Sequence, residues 1–240
     1  MPTHELSTDA IPDPEAFLRT GEVDVEGRMP WSSNATFLVT VRLDGAEQRA
    51  IYKPVRGERT LWDFEPGLHR RELAAYRLSE ALGIDAVPPT VIRDGPFGEG
   101  SLQWFVDADH SEHYFTIYEQ RPELHDQLRG IALLDLIANN TDRKSGHCLL
   151  AGDRVWAIDN GLCFSAPFKL RTVIWEFGGE SIPRKLVAAT ARLAVAVPLE
   201  LAALLADDEV DALQHRAAQL AAHPCFPEDV TGHRYPWPLI

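Results

Sequence analysis

The chain has 240 residues, of which 45% are hydrophobic and 25% are charged, and its formal net charge is −13 at pH 7. This length and composition predict a globular protein with a sizeable core, and the acidic balance argues against a broad surface for nucleic acid or anionic lipid. Three cysteines do not form a disulfide framework, and neither a secretory signal nor a membrane span is recognisable. We therefore expect a cytoplasmic protein without membrane association.

The first half of the chain carries strand patterns around one helix. Residues 1–15 are acidic and rich in proline, which predicts a loose arm, and a short helical turn is expected at residues 16–21. The segment ATFLVTVRLDGAEQRAIYKP predicts two strands around Asp44-Gly45, because this dipeptide favours tight hairpin turns. Residues 69–83 predict an amphipathic helix, and VPPTVIRDG and GSLQWFVDA predict a second pair of strands.

The second half of the chain is mostly helical. ELHDQLRGIALLDLIANN predicts a strongly apolar helix, and two short strands are expected on either side of Gly152-Asp153. Residues 184–222 are rich in alanine and leucine and predict further helices before a tail of prolines and aromatic residues. The elements together predict an α+β fold with a strand-rich N-lobe, residues 1–106, and a helical C-lobe, residues 107–240.

Four charged residues occur in an order that suits phosphoryl transfer. Lys53 ends a strand, Glu72 lies on the next helix, Asp142 follows the long apolar helix and Asp159 ends the last short strand. Singly, the lysine is typical of a strand edge, the glutamate of a solvated helix face, and the aspartates of turns. Their joint order predicts a phosphate-binding lysine held by a glutamate, a carboxylate for the acceptor hydroxyl and a carboxylate for a metal ion.

The segments NNTDRKSGH and WAIDNGLCF resemble the catalytic and metal-binding loops of the phosphatidylinositol 3/4-kinase-like superfamily. The type II phosphatidylinositol 4-kinases are the most similar, and a group of small actinobacterial kinase-like proteins is also similar. The resemblance extends from about Trp31 to Trp175 and implies a two-lobed protein-kinase-like fold that uses ATP with Mg²⁺ or Mn²⁺.

The resemblance also implies a role for each of the charged residues. Lys53 is expected to contact the phosphates of ATP, and Glu72 is expected to pair with that lysine. Asp142 is expected to be the catalytic aspartate, with Arg143 beside it in the catalytic loop. Asp159 is expected to be the principal metal ligand.

Further positions in the resemblance concern the nucleotide and a second metal ligand. Phe105 and Val106 are expected near the adenine, and the phosphate-covering loop WSSNAT supplies Ser32 and Ser33. This loop contains no glycine, although its small side chains let backbone amides approach an anion. His147 stands where the family usually has an asparagine, and an imidazole suits Mn²⁺ better than Mg²⁺.

The acceptor is expected to be a soluble hydroxyl compound, with a protein favoured over a small metabolite. A lipid kinase must approach an anionic membrane, and this acidic chain has no polybasic block for that purpose. Three alternatives stay open: a nucleotide-binding module without transfer, which the histidine in the catalytic loop suggests, a phosphoinositide kinase, and an enzyme that transfers a different part of ATP.

Overall fold

A computed structural model describes residues 11–30 and 34–239 of the chain. The predicted phosphate-loop residues Ser32 and Ser33 lie outside the described residues, and so does most of the predicted N-terminal arm. The fold class is α+β as predicted, with an antiparallel sheet in one part and helices in the other.

The chain divides into two compact units. The first contains the residues up to Leu73 together with Pro88–Phe105, and the second contains Ala74–Val87 and the residues from Val106 onward. Each unit has its own hydrophobic core. The assignment of nucleotide-phosphate binding to the first part and of the catalytic loops to the second remains a prediction.

The first unit is built on a five-stranded antiparallel sheet. Its strand order is β1-β2-β3-β5-β4. The turn between the second and third strands is the predicted one, with Asp44 and Gly45 at φ of 50° and 82° as tight hairpin turns require. The strands are β1 (Glu22–Arg28), β2 (Phe37–Leu43), β3 (Ala46–Pro54), β4 (Thr90–Gly95) and β5 (Gly98–Trp104).

Two elements of the first unit differ from the prediction. Helix α1 spans Pro14–Thr20 and begins earlier than expected, because Asp13 caps it by accepting a 2.9 Å hydrogen bond from the Ala16 amide. Strand β1 was not predicted, because its alternation of polar residues with Val23 and Val25 is short and nearly all of its residues are exposed.

The second unit contains most of the helices and a two-stranded hairpin. Helix α4 supplies the centre of its core, and nearly every residue in its last three turns is buried. The hairpin of β6 and β7 and the helical C-terminal region were predicted, whereas α3, rich in aromatic residues with weak helix propensity, was not. The helices are α2 (Leu68–Leu82), which begins in the first unit, α3 (Tyr114–Gln120), α4 (His125–Ala138), α5 (Arg184–Val195), α6 (Leu199–Ala202) and α7 (Asp207–Ala222), and the strands are β6 (Cys148–Ala151) and β7 (Arg154–Ala157).

Helix α4 ends at Asn139, which adopts the left-handed conformation with φ of 52°. Its side-chain amide donates hydrogen bonds to the carbonyls of Ser165 and Pro167, so the chain after the predicted metal-binding loop is attached to the end of the helix. None of the helices within residues 11–30 and 34–239 combines the length and the apolar character needed to cross a bilayer.

Candidate active site

Lys53 and Glu72 form an ion pair within the first unit. Lys53 lies near the end of β3, and its Nζ contacts Oε1 of Glu72 in the second turn of α2. The glutamate side chain is only 4% exposed, whereas the lysine is 22% exposed. A buried carboxylate needs a partner because desolvation of an isolated charge is costly. The pair therefore fixes a partly accessible ammonium group near the end of β3, and a phosphate-binding role for this lysine stays a prediction.

The start of α2 is held by neighbouring acidic side chains. The Glu58 carboxylate accepts hydrogen bonds from the amides of Gly67 and Leu68, at 2.9 and 3.1 Å, and so caps the helix. His69 lies 3.2 Å from the Glu99 carboxylate, and burial lowers the pKa of this imidazole. These contacts fix the first turn of the helix and hence the position of Glu72 one turn later.

The backbone groups of Phe105 are engaged within the first unit. Its amide donates a 3.1 Å hydrogen bond to the Arg49 carbonyl, and its carbonyl accepts a 3.2 Å hydrogen bond from the side chain of Gln48. The Arg49 guanidinium also lies 4.4 Å from the centre of the Phe105 ring. The Phe105 amide and carbonyl are thus both paired within the first unit, and the predicted adenine contact of Phe105 and Val106 stays a prediction.

A buried ion pair lies under the predicted catalytic loop in the second unit. Arg143 and Asp135 are fully buried, and the guanidinium donates three hydrogen bonds of 3.0–3.1 Å to the carboxylate. Burial by itself lowers the pKa of Arg143, but the attraction of Asp135 outweighs it and raises the pKa above its ordinary value. The Arg143 side chain is therefore buried beneath the predicted catalytic loop and does not face solvent.

The same network joins three segments of the chain. Arg143 donates to the carbonyl of Ile158 at 2.7 Å and to the side chain of Asn160 at 2.6 Å, which links the catalytic loop to the IDNG segment. Asp135 also accepts hydrogen bonds from the side chains of Asn140 and Thr172, at 2.9 and 3.0 Å. The loops that carry Asp142 and Asp159 are thus attached to one buried centre on α4.

Asp135 and Asn160 were not among the predicted site residues. The sequence does contain a signal for the first of them, because Asp135 is the only charged residue in the apolar run IALLDLIA. A carboxylate in such a run requires a buried partner. Asn160 carried no comparable signal, since its neighbours Asp159 and Gly161 are typical of an exposed turn.

Asp142 is partly buried and its backbone is set by a neighbour. Its amide donates a 2.9 Å hydrogen bond to the Asn140 side chain, so Asn140 forms the turn and the Asp142 carboxylate is left for other contacts. That carboxylate lies 3.2 Å from Nζ of Lys144. Burial raises the pKa of Asp142, and the charge of Asp159 acts in the same direction, while Lys144 opposes both. The two aspartates are therefore close enough to interact.

Asp159 and His147 lie close together, and their role as metal ligands stays a prediction. Nε2 of His147 lies 3.5 Å from Oδ2 of Asp159, whose side chain is 53% exposed. Asp159 adopts the left-handed conformation with φ of 57°, and the Ile158 amide donates to the His147 carbonyl at 3.0 Å. Within the described residues, no group of three or more acidic, histidine or cysteine side chains is arranged around a metal position.

This donor set fits a metal that is shared with phosphate groups. Mg²⁺ in phosphoryl-transfer sites is bound by one or two carboxylates, and the rest of its shell comes from water and substrate phosphates. The Asp159 carboxylate provides a hard oxygen ligand, and the neighbouring imidazole of His147 adds a nitrogen ligand that Mn²⁺ accepts more readily. Asp159 and His147 are thus suited to hold the ion together with a nucleotide.

No family model matches the chain. One curated relative is Protein Rv2133c of Mycobacterium tuberculosis (strain ATCC 25618 / H37Rv), which is 40% identical over 267 aligned residues that cover 95% of this chain and 96% of the relative. The chain belongs to the family of this mycobacterial protein. Family membership by itself names no reaction.

Two solved structures share the fold at low sequence identity. A Golgi casein kinase with Mn/ADP bound superposes with a TM-score of 0.57 at 16% identity, covering 94% of this chain and 79% of that chain. A hydra Fam20 with sugar superposes with a TM-score of 0.57 at 14% identity, covering 95% and 93%. At these identities the likeness shows the fold alone, which is protein-kinase-like as predicted.

Proposed function

We propose that the protein is an ATP-dependent phosphotransferase, a kinase of the phosphatidylinositol 3/4-kinase-like superfamily that acts on the hydroxyl group of a soluble acceptor protein. The observation that carries this proposal is the ion pair of Lys53 with the buried Glu72. Protein kinases use a strand lysine held by a helix glutamate, because the lysine must be fixed where it neutralises the nucleotide phosphates. The similarity of NNTDRKSGH and WAIDNGLCF to the catalytic and metal-binding loops of the superfamily supports the same conclusion.

Within this proposal each predicted site residue is assigned a role. Lys53 binds the phosphates, and Asp159 with His147 would hold a divalent ion, which would neutralise part of the phosphate charge. Asp142 is the partly buried carboxylate that orients the acceptor hydroxyl and accepts its proton. Arg143 keeps the two loops in register through its bonds to Asp135, Ile158 and Asn160. Ser32 and Ser33 are assigned to the phosphate-covering loop, and Phe105 and Val106 to the adenine contact.

The transfer step needs little covalent chemistry from the protein. The acceptor oxygen attacks the γ-phosphorus, its proton passes to the Asp142 carboxylate, and the bond between the γ-phosphorus and the bridging oxygen of ADP breaks. Positioning and charge therefore supply most of the rate enhancement. The raised pKa of Asp142 makes its carboxylate a stronger base than an exposed aspartate.

The acidic character of the chain supports a soluble acceptor. A net charge of −13 repels anionic lipid surfaces and nucleic acid, and such surfaces attract polybasic segments instead. A protein acceptor is favoured over a small metabolite, and no nucleic acid partner is proposed.

Labelled ATP distinguishes the proposed reaction from its alternatives. The purified protein is incubated with Mg²⁺ or Mn²⁺ and ATP labelled at either the α or the γ position, with dephosphorylated casein or phosphatidylinositol vesicles as acceptor. We expect γ-label alone in the casein, less of it with Asp142→Asn, and no change with Asp208→Asn, which alters an exposed aspartate on α7. Transfer of α-label would indicate a nucleotidyl transferase, and label in the vesicles alone would indicate a lipid kinase.

A nucleotide-binding module without transfer is a second candidate because of His147. This histidine stands at the position where the superfamily usually has an asparagine ligand, and it contacts Asp159. Saturable binding of Mg-ATP with no label in any acceptor, with either metal, would favour this second candidate over the kinase.

A further inference from the structure

The C-terminal tail, defined here as residues 231–239, is attached to the predicted catalytic loop. The Arg234 carbonyl accepts hydrogen bonds from the amide of Thr172 at 3.0 Å and from the indole of Trp175 at 3.3 Å. Further along, the Leu239 carbonyl accepts a 2.8 Å hydrogen bond from the amide of Ser145, three residues after Asp142. The tail therefore contacts both the catalytic loop and the segment that follows the metal-binding loop.

The segment around Thr172 lies directly beside the catalytic loop. The Arg143 amide donates to the Arg171 carbonyl, the Val173 amide donates to the Arg143 carbonyl, both at 3.1 Å, and Arg143 and Thr172 form an isolated parallel bridge. The Thr172 amide points to the opposite side, where the tail accepts its hydrogen bond. The tail thus contacts this segment through the Arg234 carbonyl, next to the loop that carries Asp142.

The attachment of the tail is limited. Trp237 is 88% exposed, and Tyr235 and Leu239 are also exposed, so that Pro236 is the one buried side chain within residues 231–239. The Ser145 hydroxyl is buried without a hydrogen-bond partner among the described residues. A buried hydroxyl without a partner costs free energy, so the docked tail does not satisfy every polar group of Ser145. The tail is consequently suited to be displaced.

We propose that the tail competes with an extended segment of the acceptor protein for the amides of Ser145 and Thr172 and the indole of Trp175. This inference rests on the proposed kinase function and adds a regulation to the same site. The tail satisfies these donors with backbone carbonyls alone, which an extended segment of another protein also offers, and backbone binding of this kind is used widely in peptide recognition. The docked tail is the closed state, and transfer to a protein needs the tail to leave.

A pair of full-length variants tests the competition. Pro236→Asp places a charge at the buried position of the tail and should release it, whereas Val230→Asp adds the same charge at an exposed position before the tail. Hydrogen exchange at the Ser145 and Thr172 amides should become faster in Pro236→Asp and should not change in Val230→Asp. Transfer of γ-phosphate to dephosphorylated casein should rise about tenfold, the factor expected when a closed state holding about nine-tenths of the molecules is removed.

A second variant shows whether the effect of Pro236→Asp comes from release of the tail or from a folding defect. Asp229 accepts hydrogen bonds from the amides of Thr231 and Arg234, at 3.1 and 2.9 Å, so Asp229→Ala should loosen the tail without touching a core residue. A synthetic peptide of sequence HRYPWPLI should inhibit both released variants.

Three results would contradict the inference. Unchanged exchange at Ser145 and Thr172 in both variants would show that the tail does not cover these amides. Faster exchange with unchanged transfer would overturn the competition while the kinase function stands. No binding of Mg-ATP by the unsubstituted protein would overturn the proposed function, and the inference with it.

Discussion

Nε2 of His147 lies 3.5 Å from Oδ2 of Asp159, although the two residues belong to different loops of the second unit. A neutral imidazole at this distance can share a metal ion with the carboxylate. A protonated imidazolium forms an ion pair with the carboxylate instead and competes with the metal. The protonation state of one histidine is therefore expected to control metal binding.

The first prediction is that His147→Asn changes both metal preference and pH dependence. The wild-type protein should work better with Mn²⁺ than with Mg²⁺, and its activity should fall in acid because the protonated ring no longer ligates. The asparagine variant should gain activity with Mg²⁺ and lose part of the acid sensitivity. Initial rates of γ-phosphate transfer, measured over pH with each metal, test this.

His215→Asn is the matched control, since this histidine is exposed on α7. An unchanged metal preference and pH profile in His147→Asn would mean that the imidazole does not touch the metal.

The second prediction separates Asp142 from the nucleotide contacts. Asp142→Asn keeps the size of the side chain and removes the base, so transfer should fall by about 10²–10⁴. The affinity for Mg-ATP should stay within a few-fold, because the carboxylate acts on the acceptor. Single-turnover transfer and equilibrium binding are measured on the same preparation. A parallel loss of binding and transfer would indicate that Asp142 is a metal ligand or a structural residue.

The third prediction concerns Lys144, whose Nζ lies 3.2 Å from the Asp142 carboxylate. Burial raises the pKa of Asp142 and Lys144 counteracts this shift. A base works only when ionised, so transfer is lost as the pH falls through the raised pKa. Lys144→Met removes the counteracting charge and should move the acid limb of the pH–rate profile to higher pH, whereas Lys144→Arg should leave it in place. An unmoved limb in Lys144→Met would contradict the assignment of that limb to Asp142.

The fourth prediction concerns the buried pair of Arg143 and Asp135. Asp135→Asn or Arg143→Met leaves an uncompensated buried charge and should lower the free energy of unfolding by about 3–5 kcal/mol. The double variant should cost less than the sum of the two single changes, because both charges are then absent. Denaturant unfolding of the four proteins gives the coupling energy.

The exposed pair of Arg121 and Asp153 provides the comparison for this measurement. The Asp153 side chain is 92% exposed, so Asp153→Asn should change stability by no more than about 1 kcal/mol. Effects of Asp135→Asn and Arg143→Met that simply add would contradict the account of a network that positions both loops.

Local signals in the sequence account for most of the elements that were predicted correctly. The Asp44-Gly45 turn and the apolar stripe of α2 are recognisable because the residues that define them are neighbours in sequence. Strand β1 and helix α3 were missed because β1 is almost entirely exposed and the first five residues of α3, YFTIY, have weak helix propensity. Their conformation depends on packing with distant segments.

In the candidate site, too, the contacts between residues distant in sequence could not be predicted. The order of Lys53, Asp142 and Asp159 could be found from the sequence, and the roles of these residues remain predictions. The burial of Arg143 could not be found, because its partners Asp135 and Asn160 are 8 residues before it and 17 residues after it. The contacts of the tail with Ser145 and Thr172 likewise depend on tertiary structure.

The most direct test of the central claim is calorimetric titration of the protein with Mg-ATP, comparing Lys53→Met and Asp159→Ala with the wild type. The account predicts saturable binding by the wild type and at least about tenfold weaker binding by each variant, since each loses a charge-assisted contact to the nucleotide or its metal. Lys185→Met and Asp208→Ala, which alter exposed residues of the same types, should bind as the wild type does. Wild-type affinity in both Lys53→Met and Asp159→Ala would contradict the proposed ATP site.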